Sequence, residues 1–390
     1  MPYLFISTLL FIAAIVIIYW IHDQYHLDII VEPAPSPANA PLISICIPAR
    51  NEENNIRNCV ESALEQDYPN IEVIVLDDRS TDATLTQISG IASRDSRLVP
   101  ICGKELPAGW AGKPHALFQA SAAAQGEWLC FVDADTFLAP QAISACHAKA
   151  LETHADMFTT MNEQVLGTFW ERVVMPLVMT ALSVGFSPRT VNDPNSRNAI
   201  ANGQFILIRR TVYDAIGGHE KVKDRIVEDK AIAEQVKWNG YRLVVADGTK
   251  VIRTRMYTSL PAIWEGWTKN IYLGLSGRPA LLLLGAFGAT LALIAALFLP
   301  LWTLLGINWL FNGGAWLAVA ITMEALLVWG WLLYFRAKAA RGMKISSWYA
   351  LTTPLGAGIF AAMMLTSAWK VLSGQGVTWR GRKYHSTVPD

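Results

Sequence analysis

The sequence predicts an α/β fold: a mixed, mainly parallel sheet flanked by helices, with one N-terminal and about three C-terminal transmembrane helices. Two observations predict it. Between residues 42 and 140, short apolar runs alternate with stretches of helical periodicity, the pattern of a sheet covered on both faces. Apolar residues make up 52% of the chain and charged residues 16%, and the apolar excess is gathered at the two ends.

The first strand is Leu42 to Ile47 (LISICI). Residues 54–66 follow with Ile56, Cys59, Val60, Ala63 and Leu64 on a single helix face. Ile71 to Leu76 (IEVIVL) is a strand ending at Asp77-Asp78. Thr81 to Arg94 reads as a helix with Leu85, Ile88 and Ala92 inward, and Leu98 to Cys102 as a short strand. Lys113 to Gln125 is an Ala-rich helix. Glu127 to Val132 is a strand ending at Asp133-Ala134-Asp135, and Pro140 suits the first position of a further helix.

In such sheets, ligands bind beyond the carboxyl ends of the strands. Three polar clusters fall there: Arg50-Asn51-Glu52, Asp77-Asp78 and Asp133-Ala134-Asp135. Three strands thus deliver polar groups to one rim.

Residues 3–20 form an apolar run with no basic residue before it and no small-residue cleavage site after it, which favours a retained anchor over 1–24 against a cleaved signal. Residues 25–40 contain a Pro- and Ala-rich linker (EPAPSPANA), and 41–278 read as one globular domain. Within it, 167–188 are apolar but broken by Glu171, Arg172 and Pro176, which suits an interfacial helix. Runs at about 280–305, 314–335 and 347–369 place membrane helices over 279–371, ahead of a basic tail at 372–390. The basic stretch Arg336 to Lys344 (RAKAARGMK) is cytoplasmic by the positive-inside tendency, which puts the globular domain in the cytoplasm of a multi-pass membrane protein. A full last crossing would put Trp379 to Lys383 (WRGRK) outside against the same tendency; Pro354, Gly356 and Gly358 leave a re-entrant segment open.

Basic and acidic residues balance at 32 each, so no global basic field argues for nucleic acid. The five cysteines make no CxxC pair and read as buried free thiols of a reducing compartment.

Two carboxylates one residue apart at a strand end, Asp133 and Asp135, can both reach a divalent cation, and Mg²⁺ shares such ligands with substrate phosphates. The bland alternative is a solvated polar turn. Asp77-Asp78 can contact a base or ribose, while Ser80 or Thr81 caps the next helix. Lys113, at a helix start after Gly112, suits a diphosphate, against the ordinary reading of a solvated lysine. Glu228-Asp229 begin a short amphipathic helix, as dipole partners or as a general base for an acceptor hydroxyl. Trp264, Trp267 and Lys269 precede the first C-terminal apolar run, as interfacial anchors or as an acceptor-side lining.

From Leu42 to about Asn270 the chain resembles the family 2 glycosyltransferases, through IPARNEE at 47–53, VLDDRSTDAT at 75–84, FVDAD at 131–135, ANGQFILIRR at 201–210, GG at 217–218 and VED at 227–229. The resemblance implies a nucleotide-sugar-binding fold of the GT-A type and inverting transfer, with a UDP-sugar expected. It implies that Pro48, Arg50 and Glu52 line the nucleoside pocket and that Asp78 contacts the base. Lys113 would approach the diphosphate, Asp133 would touch ribose or metal, Asp135 would ligate Mg²⁺ or Mn²⁺, and Asp229 would be the base. LPAGWAGKPHAL at 106–117 is similar to the membrane-bound, lipid-glycosylating subgroup, including carotenoid and hopanoid-associated enzymes, which implies a membrane lipid acceptor. Processive polysaccharide synthases carry QxxRW before the membrane region; the corresponding WEGWTK at 264–269 departs from it. A non-catalytic membrane scaffold would lose the motif acids, and Asp78, Asp133, Asp135 and Asp229 are all present.

Overall fold

The computed structural model describes residues 12, 13, 16, 19, 20, 27–37, 39–275, 279–312, 316–379 and 382–384. The expected anchor at 1–24 lies almost wholly outside them, as does part of the expected tail at 372–390.

The chain divides into two units, one of residues 26–165 and 186–256 and the other of 1–25, 166–185 and 257–390. In the first, β-branched and aliphatic runs form β1 (Ile43–Ala49), β2 (Ile71–Asp77), β3 (Leu98–Cys102) and β4 (Trp128–Phe131), as the sequence predicts to within a few residues. They are joined by α1 (Ile56–Leu64), α2 (Thr84–Ala92) and α3 (Gly112–Ala123). After β5 (Thr136–Leu138) and α4 (Ala142–Glu152) come β6 (Met157–Met161) and β7 (Glu163–Gln164). Seven strands make the main sheet in the order β3-β2-β1-β4-β8-β6-β9, where β8 is Ile206–Arg209 and β9 is Leu243–Asp247. β8 runs antiparallel to β4 and β6, while every other neighbour pair is parallel. A second sheet pairs β5 and β7 about β10 (Ile252–Thr254).

Period-two alternation sends Ile43, Ile45 and Ile47 into a core under α1, α2 and α4, and Cys46 into a second core with α3. Each of those isoleucines, fully buried, contributes about 2 kcal/mol of apolar burial. Both faces being covered is what the near-continuous apolar strands require.

Five local expectations are corrected. Helix α2 starts at Thr84 and buries Ile88 and Ile91, leaving Leu85 exposed. Its first turn is tied by Asp82, whose Oδ1 accepts from Thr84 N and Oγ1 at 3.0 and 2.6 Å, in place of a Ser80 or Thr81 cap. Pro140 precedes the N-cap Gln141 of α4 and so stands outside the helix. The start of the expected linker is docked: Ile30 bridges Asp247, Val31 N donates to Asp247 O at 2.8 Å, and Val31 is fully buried. Two apolar residues at an open sheet edge explain that docking. All five cysteines are free, but Cys102 is exposed, because it ends the edge strand β3.

The second unit contains α5 (Phe169–Gly185); the first continues through α6 (Pro188–Asn192), α7 (Arg210–Ala215), α8 (Gly218–Lys221) and α9 (Glu228–Trp238). The second unit resumes with α10 (Leu260–Leu275), α11 (Pro279–Phe311), α12 (Trp316–Gly342) and α13 (Thr353–Leu372). Small residues let these helices close up: a Cβ on Gly356 would stand 2.6 Å from Val173 O. Arg336 is buried, with Nη2 donating to Arg172 O and Val173 O at 3.3 and 3.4 Å. On α11, Leu284, Phe287, Leu291, Phe298 and Leu304 are exposed, Phe287 at 61%. Among the described residues one helix, Ser347–Leu372, is long and apolar enough to cross a membrane. Three C-terminal helices cover the runs read as membrane spans; among the described residues one of them passes that test.

Candidate active site

The carboxyl ends of β1, β2 and β4 lie side by side, since β2 and β4 flank β1 in parallel. The loops after β1 and β2 are laced together. Asn51 and Arg79 both have positive φ, 54° and 58°. Asn tolerates that region because its short amide bonds locally, and here Asn51 Oδ1 accepts from Thr81 N at 2.9 Å while Asn51 N donates to Ser80 Oγ at 2.9 Å. Glu53 Oε2 accepts from Ala83 N at 3.0 Å.

Within this lattice, Asp78 is buried. Its N–H donates to Ala49 O at 2.7 Å, and Arg50 Nη1 donates to Asp78 O at 2.8 Å and stands 3.6 Å from Asp78 Oδ2. Asp77 serves the turn: Oδ2 accepts from Ser80 N at 3.1 Å. Glu52 serves the start of α1, where Oε2 accepts from Asn55 Nδ2 at 2.9 Å and the backbone N–H donates to Thr84 Oγ1 at 2.8 Å. Pro48 is the half-buried penultimate residue of β1.

The second cluster joins β4, α3 and α9. Lys113, in the first turn of α3, puts Nζ 2.6 Å from Asp133 Oδ1 and 2.8 Å from Glu228 Oε1. Asp229 Oδ2 accepts from Gly203 N at 3.1 Å, and Oδ1 from Lys230 N at 2.7 Å. A Cβ on Gly203 would lie 3.1 Å from both Asp229 Oδ2 and Lys113 Nζ, so the glycine lets these groups approach. Ala134, buried, pins the turn between Asp133 and half-buried Asp135.

Three carboxylates, Asp133, Glu228 and Asp229, therefore surround one ammonium. Burial disfavours the charge on Lys113, but Asp133, Glu228 and Asp229 outweigh it and hold the amine well above its ordinary range. Asp229 is pushed up to about 6, by burial first and then by Glu228, with Lys113 opposing. A carboxylate held near neutral pH is poised to take up a proton. Behind it, buried His219 is pushed down to about 3 by burial and by Lys113, and its Nδ1 lies 2.8 Å from Tyr213 Oη.

The rim thus brings together Pro48, Arg50, Asp77 and Asp78 from the ends of β1 and β2 and the loops that follow them, and Lys113, Asp133, Glu228 and Asp229 in the cluster. Glu228, expected on the acceptor side, is buried against Lys113. Trp264, Trp267 and Lys269 lie on α10 in the other unit, where Trp267 is 5% exposed and its Nε1 donates to Met175 Sδ at 3.2 Å. Sequence reasoning did not single out Gly203 or the amides beside it. Asn202 Nδ2 donates to Thr160 O at 2.9 Å, and Gln204 Oε1 accepts from Gln164 Nε2 at 3.2 Å. The only signal was the ANGQ motif, since amides carry no charge signature.

A divalent cation fits the donor set in kind. Asp133 and Asp135 offer hard oxygen ligands on one turn, and Mg²⁺ is commonly held by one or two carboxylates plus substrate phosphates. Among the described residues no cluster of three or more His, Cys, Asp or Glu side chains could hold a metal by itself.

Residues 44–217 match the family model described as glycosyl transferase family 2. Two similar proteins are 4,4'-diaponeurosporenoate glycosyltransferases of Staphylococcus aureus. One is 28% identical over 263 residues, 66% of this chain and 68% of the relative. The other is 26% identical over 351 residues, 89% of each. The solved mannosyltransferase PcManGT from Pyrobaculum calidifontis, in complex with GDP-Man and Mn²⁺, aligns at 17% identity and a TM-score of 0.52, over 95% of this chain and 97% of that one, a likeness of fold. The rim formed by β1, β2 and β4 thus lies within residues 44–217, the part of the chain that matches the family 2 glycosyltransferase model, and the fold is GT-A-like.

Proposed function

We propose that this protein transfers a sugar from a nucleotide-sugar, a UDP-sugar, to a hydroxyl or carboxyl group of a membrane lipid such as a carotenoid or hopanoid, with inversion at the anomeric carbon. The observation that carries the reading is the convergence of Lys113, Asp133 and Asp229 beside the rim where β1 and β2 present Arg50 and Asp78.

In this reading Pro48, Arg50, Glu52, Asp77 and Asp78 form the nucleoside side of the rim. Lys113 meets the diphosphate. Asp133 and Asp135 would hold Mg²⁺ or Mn²⁺, which supplies charge neutralisation for the departing diphosphate. Asp229 takes the proton of an acceptor hydroxyl as its oxygen attacks the anomeric carbon, which its raised proton affinity suits. A carboxylate acceptor arrives ionised and leaves Asp229 less to do.

The lipid acceptor is supported by the relatives named for diaponeurosporenoate and by the large apolar side chains exposed on α11, such as Leu284, Phe287 and Leu304, which suit an apolar surrounding. A multi-pass protein with its catalytic domain in the cytoplasm agrees with the basic stretch Arg336 to Lys344. Trp264, Trp267 and Lys269 stand as acceptor-side candidates in that membrane unit.

The test is incubation of the purified protein with a panel of nucleotide-sugars and a host lipid extract, read by mass spectrometry. A lipid heavier by one sugar is the expected product. Long polymer would favour a processive synthase, and nucleotide binding with neither hydrolysis nor transfer would favour a scaffold.

A further inference from the structure

We propose that Glu228 is the positioning residue for Lys113: it holds the lysine ammonium at the rim so that the ammonium can turn to the donor's diphosphate. The inference rests on the reading of Lys113 as a diphosphate ligand and adds what makes that reading possible.

The two partners of the ammonium differ in kind. The Glu228 side chain is 5% exposed, while that of Asp133 is 27% exposed. The Asp133 contact faces solvent and can be exchanged for a phosphate oxygen. The Glu228 contact lies in the interior and cannot be replaced by water without leaving a buried carboxylate unpaired, which is strongly unfavourable. A lysine has four flexible carbons and three donors, so without an interior anchor its ammonium would swing to solvent. Gly203 closes the opposite side, since its α-carbon approaches Lys113 Nζ so nearly that a Cβ there would be 3.1 Å away. Glu228 is also fixed at its own end, as the first residue of α9, where a carboxylate is favoured by the helix dipole. The same first turn delivers Asp229, so one helix start sets the lysine and the base together.

A glutamate that merely suited a helix start would act independently of Lys113. A double-mutant cycle on the full chain separates the two roles. UDP affinity in the presence of Mn²⁺ is measured by calorimetry, and kcat and KM for the donor are measured separately. Glu228→Gln should weaken UDP binding about tenfold, Lys113→Met at least as much, and the double variant no more than Lys113→Met alone. Losses that multiply in the double variant overturn the proposal. Where Glu228→Gln does not fold, Glu228→Asp enters the same cycle, since its shorter arm keeps the charge but not the reach. Wild-type protein that binds no UDP would defeat the reading of Lys113 itself, whereas independent losses in a binding wild type defeat the positioning role alone.

Discussion

Asp229→Asn is expected to stop transfer to a hydroxyl acceptor and, at the same time, to stabilise the fold at neutral pH. Asp229 is raised from an ordinary 3.8 to about 6, so folding imposes a charge in a site that disfavours it. The gap of two units corresponds to about 3 kcal/mol. The sign follows from linkage. The penalty is absent below the unfolded value near 3.8, grows as pH rises through the window to about 6, and is complete above it. Asparagine carries no charge and escapes the penalty. It also loses an acceptor, since both Gly203 N and Lys230 N donate to the carboxylate, at a cost of about 1 kcal/mol. The net gain is about 2 kcal/mol, or roughly 5 °C in the unfolding midpoint of a domain of this size. Thermal unfolding followed by tryptophan fluorescence in detergent, between pH 5 and 8, measures it. The midpoint difference should be largest at pH 8 and shrink toward pH 5. A variant no more stable than wild type at pH 8, or a difference flat with pH, would refute the account of why this carboxylate is a base.

Three further outcomes follow from the same geometry. For a hydroxyl acceptor, kcat should fall with unit slope below about pH 6, because Asp229 must be ionised to accept the proton, and a pH–rate profile checks this. Gly203→Ala should leave the protein folded, as circular dichroism would show. It should lower kcat about tenfold, because the new methyl displaces Lys113 Nζ and Asp229 Oδ2 by a few tenths of an ångström. Chelation by EDTA should abolish transfer, with added Mn²⁺ restoring it.

The half of the fold that builds the rim was legible in the sequence because its signals are local. Apolar runs such as IEVIVL and helix faces such as Ile56, Cys59, Val60, Ala63 need only a period to be seen. The carboxylates of the rim were legible because charged groups at the ends of buried strands need a purpose. Strands β6, β8 and β9 were missed: β8 enters the sheet between β4 and β6 from far along the chain, a pairing that no local period encodes. The placing of Glu228 was missed for the same reason. At the start of a helix it has the local look of a dipole partner, and only the tertiary fold brings Lys113 of α3 to it. Helix α2 misled because Asp82, rather than a hydroxyl residue, ties its first turn, and because its buried face runs through Ile88 and Ile91 and leaves Leu85 exposed. Docking of Ile29 to Val31 on β9 was hidden because three apolar residues ahead of a Pro-rich stretch make too short a run to read as a strand.

The most direct test of the rim as the donor site is the binding of Mn²⁺ with UDP, followed by electron paramagnetic resonance in wild type and in Asp135→Ala. Wild type should take up Mn²⁺ together with UDP, and Asp135→Ala, still folded, should lose that uptake at least tenfold. Equal Mn²⁺ and UDP binding by both proteins would contradict the assignment of the metal and the donor to the turn after β4.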